Sequence, residues 1–249
     1  MDQPRPLARC IFAASMISLG VLGLRVGDFA LQSQPVAAWV PGRTALAYLA
    51  AILMLVGGFA LLVQRTALPA ARVLLVYLAG WVLLRVPALI TMPREEVFWL
   101  GFGEILVMFA GGWTLYARLA GGRERQIRVA RYLFGAALIP IGLSHFVYLR
   151  ATMGFIPAWV PYHEYVAYFT GAAHIAAGVG VLLSVVPKLA ATMEAIMLTL
   201  FSLLVWIPML MADPGKRAIW TSMLISFAVS AGAWEVAMGT EVPARSVGK

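Results

Sequence analysis

Five stretches of this chain, 44–63, 132–149, 165–187, 195–212 and 218–234, contain no Asp, Glu, Lys or Arg. A helix that crosses a bilayer needs about 20 mostly apolar residues. Inside hydrocarbon each backbone N–H and C=O must be satisfied within its own segment, which makes such a run a helix. Composition points the same way: 62% of the 249 residues are apolar and 12% are charged, whereas soluble domains carry roughly 25% charged residues. The expected fold is all-α, a polytopic membrane protein. Its eight transmembrane helices are predicted near 8–27, 44–63, 71–92, 97–118, 131–149, 164–186, 190–211 and 218–238.

The eight spans read as one unit written twice. The tetrapeptide Ala-Trp-Val-Pro occurs at 38–41 and again at 158–161, an offset of 120. Prolines flanking Trp disfavour helix, because each lacks an N–H and restricts the residue before it. Trp also favours the membrane–water boundary, so both copies are expected in interfacial loops. Gly20 pairs with Gly142 at an offset of 122, Gly58 with Gly178 at 120, and Pro87, Trp99, Gly111 and Trp113 with Pro208, Trp220, Gly232 and Trp234 at 121. The predicted organisation is a first four-helix unit over 1–120, a basic cytoplasmic linker over 121–130 and a second unit over 131–249. Four spans per unit is an even number, so the copies enter from the same side and are parallel repeats.

Sorting the basic residues by predicted side gives 12 against 7. The positive-inside rule then makes the richer side cytoplasmic, with both termini on it and both Trp-Pro loops outside. The net charge of +8 is spread over short loops, which fits a bilayer partner and no nucleic acid. Cys10 is the only cysteine, which excludes an internal disulfide and a paired-thiol redox motif. Residues 1–9 are short and basic before an apolar run, but they have a counterpart deep in the chain, so the first run is read as a mature helix.

The second unit carries G-L-S-H-F at 142–146 and F-I-P-A-W-V-P-Y-H-E-Y-V-A-Y-F-T-G at 155–171, followed by Gly178 and Ile207-Pro208. These residues resemble the DoxX-like family of small bacterial four-helix membrane proteins. The first unit, with G-D-F-A-L-Q-S-Q-P-V-A-A-W-V-P-G-R at 27–43, resembles the first half of a duplicated subgroup of that family. The resemblance implies a bacterial inner-membrane protein, related to a subunit of a thiosulfate:quinone oxidoreductase; no cofactor is evident in the residues, and the resemblance leaves quinone open as one. Where the family often has an acid in the second helix, in a G-x-x-E-I pattern, this chain has His174.

Few polar residues are placed to carry chemistry. Arg85 and Glu104 each lie seven residues from the outer ends of adjacent spans, roughly 10 Å deep at about 1.5 Å per residue. A buried ion pair between them either fixes helix packing or forms the polar floor of an outward-facing cavity. His145 ends the fifth span and His163 opens the sixth; the two are expected to share the outer rim, where they bind a ligand or hold the loop. Glu164, Trp159, Trp39 and Arg43 complete the candidate ligand-binding set. Two His do not make a structural zinc site, which takes four ligands, and no metal is expected. His174 reads as a satisfied core histidine. Asp28 reads as a loop charge, and Glu194 and Glu235 as partners for Lys188 or Arg72.

No nucleotide-binding, hydrolase or metalloprotease motif is present. The functional expectation is an accessory or binding protein for a membrane or periplasmic protein partner, or for a small quinone- or lipid-like molecule. A membrane subunit of a quinone-linked oxidoreductase is the alternative, and a small-solute transporter a weaker one.

Overall fold

The computed structural model describes residues 7–30 and 32–240. Arg5, Arg245 and Lys249, counted in the charge bias, lie outside the described residues. Eight helices are long and apolar enough to cross a membrane. They are α1 (Leu7–Val26), α2 (Arg43–Leu62), α3 (Ala67–Thr91), α4 (Glu96–Leu119), α5 (Glu124–Val147), α7 (His163–Leu182), the broken span Pro187–Ala212, and α10 (Arg217–Gly239). The broken span consists of α8 (Pro187–Phe201), a π turn (Ser202–Trp206) and α9 (Ile207–Ala212). A short helix, α6 (Leu149–Phe155), joins α5 to the second Trp-Pro loop. The chain is an all-helical, multi-pass membrane protein.

Each long helix packs on its neighbour in sequence, α10 returns to α1, and α4 meets α10 across the middle. The hydropathic windows of α4 and α10 are 56% and 67% buried, against 28% for α3 and 17% for the broken span. The fourth helix of each unit is therefore central, and the third faces outward. The α4–α10 contact runs through glycine: a Cβ on Gly111 would land on the backbone of Gly232, and one on Gly232 would come within 2.7 Å of the Val107 carbonyl. These two glycines are the residues paired at an offset of 121. Small residues let helix backbones approach where lipid offers no hydrophobic drive.

Two boundaries differ from expectation. The 121–130 linker is mostly helix, because α5 begins at Glu124. Arginines are good helix formers, Glu124 favours a first turn, and Ile127 and Ala130 are buried, so the helix runs on past the apolar stretch. In the third helix of the second unit Pro208 is the second residue after the π turn. Proline lacks an N–H and its ring crowds the carbonyl four residues back, which a local π turn accommodates. Pro87 sits inside the continuous helix α3.

Candidate functional site

The two Trp-Pro loops fold differently, and that difference makes a cavity. After α1 the chain turns inward. Phe29 packs edge-on against Trp81, Tyr77 packs against Trp81, and Gln34 donates from its amide to the Tyr77 hydroxyl while accepting from the Ala30 N–H. That plug leaves crevices of only about 10 Å³ in the first unit. After α5 the chain instead forms α6, and beneath it opens a cavity of about 430 Å³. Leu100, Ile141, Val166, Leu198, Phe201 and Val229 give it apolar walls.

The cavity closes on a pair of imidazoles. His145, near the end of α5, and His174, in the middle of α7, lie with ring centroids 4.9 Å apart, and Phe201 packs on both. Gly171, one turn before His174, makes this possible: a Cβ there would sit 2.8 Å from the His145 Cβ. Behind His174 its Nδ1 meets the Glu194 carboxylate at 2.7 Å, with both side chains buried. His174 Nε2 and Glu194 Oε2 are buried and have no hydrogen-bond partner. His145 Nδ1 lies 2.9 Å from the Ile141 carbonyl. A carbonyl only accepts, so that nitrogen carries the hydrogen.

The facing wall brings in residues of the first unit. Arg85 donates to the Gln32 carbonyl, the Gln32 amide nitrogen lies 3.4 Å from both Glu104 oxygens, and Ser222 donates to Gln32 Oε1 at 3.1 Å. Arg85 and Glu104 thus form no direct ion pair, contrary to expectation. Gln32 stands between them, because the inward fold of the first loop delivers it there. Gln32, Glu104 and Ser222 all line the cavity.

The structure does not bring His145 and His163 together. The helix α5 ends at Val147 and α6 intervenes, so His145 lies level with the middle of α7 rather than with its first residue. His163 Nε2 donates to the Pro157 carbonyl at 3.2 Å, holding its own loop. Glu164, Trp159 and Trp39 are exposed, the two Trp by 72% and 81%, as lipid- or interface-facing side chains should be. Arg43 pairs with Asp28 and lies over the Phe29 ring. Arg217 of α10 donates to the other Asp28 oxygen at 3.2 Å and to the Phe29 carbonyl at 2.8 Å. Burial pushes the Asp28 carboxyl up, but the Phe29 amide and the Arg217 and Arg43 guanidiniums outweigh it, holding the group below the usual carboxylate range. This is a staple between the units, not a ligand site.

Of the candidates named from sequence, His145 and Glu104 line the cavity, while Arg85 lies behind its wall. Glu194 and Gln32 were missed as site residues, and so was His174, which reads from sequence as a satisfied core histidine but lines the cavity with its Nε2 unpartnered. Glu194, an acid amid the apolar residues of α8, was a readable sign; its partner was not, because His174 lies 20 residues away on another helix. Glu235 is buried and accepts from Arg118 at 3.0 Å, correcting the expected Lys188 or Arg72 partner. Among the described residues no cluster of three or more His, Cys, Asp or Glu is placed to hold a metal ion.

Fold and site together define the class: a multi-pass helical membrane protein with an apolar cavity closing on a buried His–Glu pair. Comparison with known families, with curated proteins and with solved structures returns no match.

Proposed function

We propose that the chain is a bacterial inner-membrane protein of the duplicated DoxX-like type that binds a small hydrophobic molecule, quinone- or lipid-like, in the cavity of its second unit. It serves as a binding or accessory protein, with both termini in the cytoplasm and the Trp-Pro loops outside. One observation carries this reading: an apolar cavity of about 430 Å³ is lined at one end by His174, whose Nε2 is buried without a partner. Ligand sites are typically concave, mostly apolar, some 300–1,000 Å³ in volume, and supplied with a few polar groups that fix orientation. A pocket built only for packing would be filled, as its counterpart in the first unit is.

The test is purification in mild detergent, organic extraction and mass spectrometry of the extract. A lipid-soluble molecule should be retained at near-stoichiometric amount and lost from Thr152→Trp, which fills the space under α6. An extract no different from that of a control membrane protein, with no change in the variant, refutes the reading.

A further inference from the structure

The cavity's inner polar atoms are short of hydrogens. Away from α6 the wall hydroxyls have their hydrogens committed: Ser144 donates to the Ile141 carbonyl at 2.7 Å, and Thr170 to the Val166 carbonyl at 3.0 Å. Ser222 donates to Gln32 at 3.1 Å. Ser202 donates to the Leu198 carbonyl at 2.9 Å, which leaves the hydrogen of Ser226 for the Ser202 oxygen, also at 2.9 Å. The Gln32 amide turns to Glu104. Remaining hydrogens are those of Tyr148, Thr152 and Trp206; Thr152 is on α6, Tyr148 immediately precedes it, and Trp206 packs at a tilt against Phe155 of α6. All three therefore belong to the α6 end of the cavity.

At the other end both imidazoles have Nδ1 turned to a fixed oxygen, the Ile141 carbonyl for His145 and the Glu194 carboxylate for His174. An oxygen that only accepts keeps the hydrogen on Nδ1, and in the neutral ring Nε2 is then a lone pair. His174 Nε2 is buried without a partner, and among the described residues none bonds to His145 Nε2. Across the cavity Glu104 adds a carboxylate whose amide contacts are long, at 3.4 Å. Buried acceptors without donors are costly to leave empty.

We infer that the cavity takes a hydroxyl-bearing apolar ligand, of the phenol or hydroquinone class, whose O–H donates to the Nε2 atoms of His174 and His145. The inference rests on the binding role proposed above and narrows its ligand class. Carbonyl-headed molecules of the same shape offer two more acceptors to a floor that already has too many. The His–Glu pair is the selective element: Glu194 fixes the tautomer of His174 and so fixes what the ring recognises.

The experiment measures quenching of tryptophan fluorescence, Trp206 lining the site, with the full chain in lipid nanodiscs under anaerobic conditions. The probes are 2-decylhydroquinone, its dimethyl ether and 2-decylbenzoquinone. The hydroquinone should bind at least about tenfold tighter than the ether or the quinone, the difference expected of one good hydrogen bond. Glu194→Gln, whose amide nitrogen can turn toward Nδ1 and place the hydrogen on Nε2, should erase or invert that preference. His145→Phe, a variant of the half-buried partner, should weaken the hydroquinone alone. Equal binding of all three probes, or tighter binding of the quinone by the unmodified chain, overturns the inference and leaves the binding role standing. Failure of every probe to bind defeats both.

Discussion

At the scale of single residues, the buried His174–Glu194 pair stands where the first half of the chain has apolar side chains. At the repeat offset of 120, His174 and Glu194 correspond to Met54 and Leu74, both buried in the packed first unit. Removing one partner of a buried polar pair strands the other, at a cost of about 3–5 kcal/mol, whereas replacing both with apolar residues of similar size is often neutral. His174→Met and Glu194→Leu should each lower the thermal unfolding midpoint in detergent sharply. The double variant, which installs the first unit's residues, should recover most of the loss. A double variant as unstable as the two losses added would show that the residues act separately.

At the scale of elements, glycine decides which helices touch. Gly111 and Gly232 put α4 and α10 in backbone contact, so Gly111→Ala should destabilise by about 1–3 kcal/mol, the usual cost of overpacking. Gly80 on α3 has nothing within 4 Å of a Cβ; Gly80→Ala should be neutral or stabilise by about 0.5–1 kcal/mol. Unfolding midpoints of the two variants check this, and an equal response would mean that α4 and α10 are not held by that contact. The Trp-Pro loops end alike as well. Gly42 and Tyr162, related by the offset of 120, both adopt left-handed backbone, at φ 66° and 56°, immediately before α2 and α7. A shared backbone turn thus persists beside two quite different loop bodies, one folded inward as a plug and one carrying α6.

At the scale of the whole molecule, α10 is tied to the loop after α1 and to α2 by Asp28 with Arg217 and Arg43. The folded carboxyl titrates below its ordinary range, so its contribution to stability is complete above the unfolded value of about 3.9 and fades as pH falls through the folded one. Acidification below about pH 4 should therefore destabilise the protein, and Asp28→Asn should be less stable at neutral pH but lose less on acidification. Parallel pH profiles for the two proteins would remove the staple from the account. Orientation is checked separately. Reporter fusions after Arg125 and at the C-terminus should read as cytoplasmic, and fusions near Gln34 and Ala151 as external; a cytoplasmic reading at either loop would overturn the proposed topology.

What the sequence determined by itself was the class of fold and the count of spans. Hydrocarbon leaves a long uncharged run no choice but helix, and that constraint is local to each segment. Trp and Pro spacing likewise marked the two interfacial loops without any knowledge of packing. Only tertiary structure decided the site. Depth counted along each helix set His145 beside His163, yet α5 stops short and α6 fills the difference, leaving His145 against His174. Arg85 and Glu104 were legible as neighbours, but Gln32 between them was not, because it arrives from a loop more than 50 residues away in the chain. Which of two similar units stays open depends on how its own loop folds, and in this chain that turned on whether the residues after the first helix pack inward on Trp81 or form a helix over an empty space.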